Sequence, residues 1–254
     1  MRNPSRRDLE LNEESWWSNW AHVARLGASG YLMTSEDFRE PFFNRACFLN
    51  CRGAGAAVAR VEERLMAGNI GSTITIFDSC TKAIRGLRAS GYRAFDSMAV
   101  MLSKGPGKPT SPAPVTIDER PAADSWTRAY LEAFYGGQDL APRTIPIVTR
   151  LLKLKAATLL EGKVGGETAG VLAVFRTRGL AGVYCVGTVP EHRRKGVAGT
   201  LLSRAGAIAG AEGRRLVLQA LASDVSARFY LEKGFKVLYY KQLLSKEGSN
   251  AEKK

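Results

Sequence analysis

Two hydrophobic periods alternate along the chain and predict an α/β protein. Trp16, Trp20, Val23 and Leu26 form one stripe at helical spacing, which predicts a helix opening near Asn12 and carrying His22. The polar residues 1–10 before it are expected to be frayed. Residues 45–51 read as a strand, and Gly53 and Gly55 lead into a helix carrying Val58, Val61 and Leu65. The β-branched alternation of residues 72–78 predicts a strand. A helix over residues 79–90 is closed by Gly91, a left-handed cap position, and residues 94–102 form the next strand.

Residues 104–114 interrupt the pattern with four prolines and two glycines, which reads as a semi-rigid linker. Beyond it come a strand at 115–118 and a helix at 122–134 with Trp126, Tyr130 and Phe134 four residues apart. A second helix spans 145–155. Apolar runs at 157–164 and 169–175 flank Gly165-Gly166 and predict a hairpin, its turn left open by Glu167 and Thr168. A buried strand at 183–189 ends at Pro190, which cannot donate to a sheet ladder. Val197, Leu201, Ala205 and Ile208 then open a helix. A strand at 216–220, a helix at 224–233 and a strand at 235–243 complete the pattern, and the polar residues 245–254 are expected to be disordered. The expected division is a domain over 1–103, a linker over 104–114, a domain over 115–244 and a tail over 245–254.

Composition narrows the class. A hydrophobic content of 45% with 24% charged residues fits an ordinary globular protein. No apolar run reaches the length of a membrane span, and no apolar region follows the basic start, so neither a membrane nor a secretion signal is expected. Cys47 and Cys51 have the spacing of half a zinc site, but no second close pair of Cys or His completes it. Four scattered cysteines, Cys47, Cys51, Cys80 and Cys185, are read as reduced thiols of a metal-free cytoplasmic protein. The net charge of +13 favours an anionic ligand or partner, nucleic acid being one candidate, or a basic surface without any partner.

The anion-binding candidate is the turn between Pro190 and Val197. Arg193, Arg194 and Lys195 bring charge, while Gly196, Ala198 and Gly199 keep side chains out of the way of an approaching ligand. The helix start supplies free N–H groups and the positive end of its dipole. The turn is neither a Walker loop nor a dinucleotide fingerprint, because both glycine spacings are missing. Arg193, Gly196 and Ala198 instead resemble the acetyl-CoA signature [Q/R]-x-x-G-x-[G/A] of the GNAT superfamily of N-acetyltransferases. A second motif agrees: residues 227–235, Ala-Arg-Phe-Tyr-Leu-Glu-Lys-Gly-Phe, resemble that family's L-Y-x-x-x-G-F helix, with Phe229 in place of leucine.

The resemblance covers residues 113–244. It implies an α/β (α+β) fold, the acyl-CoA N-acyltransferase (GNAT) fold, with a mixed sheet splayed at its centre and acetyl-CoA in the split. By that resemblance the backbone from Arg194 through Lys195, Gly196, Val197 and Ala198 to Gly199 takes the pyrophosphate, with Arg193 adding charge. Val186, Gly187 and Thr188 pair with the pantetheine arm, and one of their N–H groups polarises the thioester carbonyl. Tyr230 stands where the family places its general acid. Many relatives carry asparagine shortly before that tyrosine; this chain has Ser223-Asp224, and Asp224 is the candidate contact there.

The first half resembles a second copy. Residues 82–92 match 225–235, with Gly91-Tyr92 answering Gly234-Phe235. Leu87 stands where Tyr230 would be, and residues 51–60 lack the R-x-x-G-x-A pattern. Two tandem copies are therefore expected, the first degenerate and without cofactor, although a helix followed by Gly, an aromatic residue and a strand is also ordinary αβ punctuation.

Direct acetyl transfer to an amine further needs a base, for which Glu161, Glu167, Glu191 and His192 are candidates. Cys185 is read as packing, because no histidine partner is apparent for a nucleophile. The implied function is an N-acetyltransferase acting on an amine-bearing small molecule or a protein amine. The alternative is a non-catalytic acetyl-CoA-sensing, nucleic-acid-binding or protein-binding protein on the same fold.

Overall fold

The computed structural model describes residues 4–52, 54–67, 72–105 and 115–246. The linker expected over 104–114 and the tail expected over 245–254 lie almost entirely outside these residues. The rest gathers into two compact units, neither continuous in sequence. One draws on Met1–Glu13, Leu102–Gln219 and Tyr230–Lys236, the other on Glu14–Met101, Ala220–Phe229 and Val237–Lys254.

Among the described residues the first element is helix α1 (Arg6–Trp17), so residues 6–10, expected to be frayed, are helical. Ser5 and Asp8 cap it reciprocally: the Asp8 amide donates to Ser5 Oγ at 3.2 Å, and the Ser5 amide to Asp8 Oδ2 at 3.1 Å. The expected continuation through His22 to Leu26 is also corrected. Asn19 donates its side-chain amide to the carbonyls of Ser15 and Trp16, closing the helix, and exposed His22 begins strand β1 (His22–Arg25). Trp16 and Trp20 still meet, with ring centroids 5.8 Å apart, and both are buried core residues.

In the unit built around residues 14–101, β1 pairs antiparallel with β2 (Gly30–Thr34), and β2 with β3 (Arg45–Phe48). Helix α2 (Ala54–Ala67) returns the chain so that β4 (Thr73–Phe77) lies parallel to β3. Helix α3 (Thr81–Ala89) ends before Gly91, at φ +94°, and β5 (Tyr92–Ser103) follows. The chain's last strand, Phe235–Lys246, pairs antiparallel with β4. Val58, Val61, Leu65, Ile84 and Leu87 from the two helices pack on Ile74, Ile76 and Leu244 to make the core of this unit.

The cysteines depart from the reduced reading. Cys51 and Cys80 form a disulfide, whereas Cys47 and Cys185 remain thiols. The cause is topological: parallel β3 and β4 both end on the same side, so the loops that open α2 and α3 are neighbours although 29 residues separate the two cysteines.

The other unit carries β6 (Val115–Asp118), α4 (Ala123–Tyr135), α5 (Ala141–Lys153), β7 (Ala157–Val164), β8 (Glu167–Thr177) and β9 (Leu180–Thr188). These strands form an antiparallel succession. Gly165 and Gly166, at φ +62° and +89°, make the two-residue hairpin turn between β7 and β8 that the left-handed region permits. Helix α6 (Val197–Ala211) then leads to β10 (Arg215–Leu221), parallel to β9, and α7 (Val225–Glu232) leads to β11, the last strand already described.

Two glycines hold α6 to its sheet. A Cβ on Gly170 would lie 2.8 Å from Val197 Cγ1, and one on Gly162 3.3 Å from the same atom. The opposite face carries α4, with Trp126 buried and donating to the Leu160 carbonyl at 3.1 Å. Among the described residues no helix is long and apolar enough to cross a membrane.

Candidate functional site

Strand β9 carries the geometry that matters most. Its parallel ladder with β10 joins Leu180, Ala181 and Gly182 to Arg215, Leu216 and Val217, and stops there. Its antiparallel ladder with β8 continues to Thr188. From Val183 onward, therefore, β9 stays in the sheet on one side and leaves it on the other. The departure coincides with a bulge: Ala173 faces Tyr184 and Val171 faces Gly187, so an extra residue lies between them, and Cys185 takes φ +52°. A bulge of this kind sharpens local twist and re-aims a strand. Backbone groups of Val186, Gly187 and Thr188, the expected pantetheine contacts, lie at the far end of this splayed segment.

Helix α1 is fastened to β8 and β9 near the point where the parallel ladder ends. Asn12, fully buried, donates to the Phe175 carbonyl at 3.1 Å and to Thr177 Oγ1 at 2.8 Å, while its Oδ1 accepts from Tyr184 Oη at 2.7 Å. A Cβ on Gly182 would lie 2.0 Å from that same Oδ1, so only glycine fits. Burial raises the Tyr184 phenol well above its usual range, and the carboxylates of Glu13 and Glu10 add to the effect. Neither Asn12 nor Gly182 was expected from the sequence, because the link spans the whole chain and no local motif announces it.

Beyond Thr188 the chain makes a short 3-10 turn, Pro190–His192, and then the basic turn. Arg194 at φ +63° and Gly196 at φ +81° alternate with Lys195, a conformation that aims successive N–H groups into one concavity. Helix α6 starts without a side-chain cap. Its first internal bond is from the Thr200 amide to the Gly196 carbonyl at 3.0 Å. Among the described residues the N–H groups from Arg194 to Gly199 have no acceptor, and the side chains of Arg194 and Lys195 are exposed. An uncapped helix start of this kind is built to receive an anion. These groups fit the phosphates of a coenzyme A thioester, and the open edge of β9 fits its amide-bearing arm.

Arg193 is placed differently from its neighbours. Its guanidinium turns back to the carbonyls of Thr188 and Ala133, at 3.4 and 3.5 Å, and so ties the turn to the negative end of α4. Gly187 seals the same corner, since a Cβ there would meet Ala133 and Phe134 at 2.8 Å. Tyr230 is buried on α7, its ring edge-to-face with Phe235 at 5.9 Å, in the same compact unit as the turn. Asp224 belongs to the other unit, where it caps α7: its Oδ1 accepts from the Ser226 amide at 3.0 Å.

The base candidates separate clearly. Glu161 is buried and engaged by Ser125 Oγ at 2.7 Å, Thr168 Oγ1 at 3.0 Å and the Lys163 ammonium at 3.3 Å, which makes it a clamp between α4 and the hairpin. Glu167 is exposed and lies 3.9 Å from His192 Nε2, while His192 Nδ1 is buried without a partner among the described residues. Glu191 is exposed. Burial pushes the Cys185 thiol up, which keeps it protonated and suits packing rather than nucleophilic attack.

Residues 157–237 match the family model described as an acetyltransferase (GNAT) domain. No curated protein sequence matches the chain. Among solved structures, a GCN5-related N-acetyltransferase from Kribbella flavida aligns over 95% of this chain and 96% of its own, with TM-score 0.69 and 13% identity. A GCN5-related N-acetyltransferase from Sphaerobacter thermophilus aligns over 96% and 94%, with TM-score 0.68 and 20% identity. A tandem GNAT protein from the clavulanic acid biosynthesis pathway aligns over 88% and 80%, with TM-score 0.61 and 17% identity. The chain has the GNAT fold, and the part of it that matches the acetyltransferase (GNAT) domain model lies in its second half.

Proposed function

We propose that this protein is an N-acetyltransferase that moves acetyl from acetyl-CoA to a primary amine, with one working site in the second half. The observation that carries the reading is the conjunction on β9: the strand leaves its parallel partner at Gly182 and then enters an uncapped, basic helix start. In this reading the N–H groups from Arg194 to Gly199 hold the pyrophosphate, and Arg194 and Lys195 add charge. Val186, Gly187 and Thr188 hydrogen-bond the pantetheine arm. An N–H from that segment, aimed at the thioester oxygen, stabilises the charge that develops as the amine attacks, an effect worth ~2.7–4 kcal/mol.

The attacking amine loses its proton to solvent, the carbon–sulfur bond breaks, and Tyr230 gives a proton to the departing thiolate and regains one from solvent. A phenol suits that task, since its ordinary pKa of about 10 keeps it protonated at neutral pH. Asp224 stays with the cap of α7 and Arg193 with the carbonyls it already meets, so neither is assigned to the cofactor. The acceptor is a small-molecule amine or a protein amine, in the cytoplasm.

The first half is read as a degenerate copy that keeps the fold without the cofactor. Its equivalent strands support this: the β3–β4 ladder continues to Phe48, the last residue of β3, and leaves no split. The test is Tyr230→Phe in an acetyl-CoA turnover assay beside a binding assay. Turnover lost with binding kept supports the acid role. An unchanged rate removes Tyr230 from the chemistry, and binding without turnover on any amine favours a sensor.

A further inference from the structure

In the first half, the loop that answers the phosphate turn is closed by a covalent bond. Under the offset that sets Gly91 against Gly234, Cys51 stands against Arg194 and Cys80 against Ser223. The disulfide thus ties the opening of α2 to the opening of α3. Its two cysteines differ in exposure: Cys51 is exposed, whereas Cys80 is 1% exposed and packs in the core of its unit. Arg52, also exposed, follows Cys51 directly. Cys80 occupies the N-cap of α3 without a side-chain capping bond, and Lys82 lies in the first turn of that helix.

We infer that this disulfide is a site of thiol exchange with small anionic thiols, directed to Cys51. Exchange requires a thiolate to approach one sulfur along the S–S axis, and the sulfur that is reached becomes the mixed disulfide. Access selects Cys51, and the Arg52 guanidinium draws an anionic thiol toward it. The new bond forms between the incoming sulfur and Cys51 Sγ, the Cys51–Cys80 bond breaks, and Cys80 leaves as a thiolate with the electron pair. That thiolate is received by the uncapped N–H groups at the start of α3, where the helix dipole favours negative charge. A second thiol reverses the adduct and leaves two reduced cysteines, with the two small thiols joined as a disulfide. Cys47, buried, and Cys185, with its thiol pushed up by burial, take no part.

The test uses the full-length oxidised protein and reduced glutathione. After brief incubation, the reaction is stopped with acid, free thiols are alkylated with iodoacetamide in denaturant, and the peptides are mapped. Glutathione on Cys51 with alkylation on Cys80, in at least tenfold excess over the reverse pattern, is the expected result. Glutathione mainly on Cys80, or no adduct on either cysteine, overturns the assignment. So does alkylation of both Cys51 and Cys80 before any glutathione is added, because the bond would then be absent. None of these outcomes depends on acetyl transfer.

Discussion

The two strand–turn–helix crossings of this chain share a plan and differ at their turns. In the first half, β3 pairs with β4 through to its last residue, and a disulfide holds the following loop against the start of α3. In the second half, β9 abandons β10 from Val183 onward, bulges at Cys185, and enters a turn whose N–H groups have no acceptor among the described residues. Unmet backbone donors cost free energy, and residues at positive φ store strain. A protein keeps both where a ligand compensates them. The closed crossing is held by a covalent bond, whereas the open one carries the proposed binding site.

The largest effect that could break this contrast is chemical. Tyr230→Phe is expected to lower kcat by ~10²–10⁴-fold, the range for a positioned general acid, with the Kd for acetyl-CoA within about twofold. Steady-state kinetics beside calorimetry checks it, and a normal kcat removes the acid from the account. The second effect falls on the closed crossing. Cys80→Ala should lower unfolding free energy by ~2–4 kcal/mol, as loss of a native cross-link does, without changing acetyl-CoA affinity. Urea unfolding with and without acetyl-CoA separates the two halves of that statement.

A third change probes the packing of Asn12 on β9. Gly182→Ala places a methyl group 2.0 Å from Asn12 Oδ1 and 2.5 Å from the Tyr184 ring. Overpacking of this kind costs ~1–3 kcal/mol, and here it should weaken acetyl-CoA binding as well as lower Tm. Loss of Tm with unchanged affinity would make the Asn12 contact a matter of stability alone.

The smallest effect concerns Tyr92, the residue that answers Phe235. Burial raises its phenol to about 12, although the hydrogen bond with Ser72 pulls the other way. A raised acid pKa means that the unfolded chain releases this proton first. The contribution is therefore intact below pH 10 and is lost as pH climbs from 10 toward 12. The urea midpoint of Tyr92→Phe should fall less steeply across that window than that of the parent.

What could be read from the sequence was what is local. Gly196, Ala198 and the basic triplet stand together, and the helical period from Val197 places them at a helix start, where the structure has them. The hairpin at Gly165-Gly166 and the cap at Gly91 were legible for the same reason, since each is a φ requirement written in one or two residues. The stripe Trp16–Trp20–Val23–Leu26 misled because Trp16 and Trp20 do meet in the core, although only Trp16 lies in the helix. What ends that helix is the side chain of Asn19, and a polar residue on a helix surface carries no such label. Ser5 and Asp8 spelled a capping box three residues apart, but the polar run around them masked it.

Long-range features left no trace. The Cys51–Cys80 bond follows from the parallel adjacency of β3 and β4, and the Asn12–Tyr184 link joins residues from opposite halves of the sequence. The end of the β9–β10 ladder at Gly182 depends on a bulge that an apolar run conceals. The site followed the same division: the turn was legible in its own residues, whereas the splay beside it was implied only by the family resemblance. Arg193 and Asp224 show the limit from the other side, since motif position named both while their side chains answer to Ala133, Thr188 and Ser226.

The most direct test is calorimetric titration of acetyl-CoA into the intact protein, beside Gly196→Val. A β-branched residue at φ +81° is strained by ~1–3 kcal/mol and places its side chain at the mouth of the turn. The account predicts one site per chain in the parent and at least tenfold weaker binding in the variant. Two sites per chain, or one site of unchanged affinity in the variant, would contradict it.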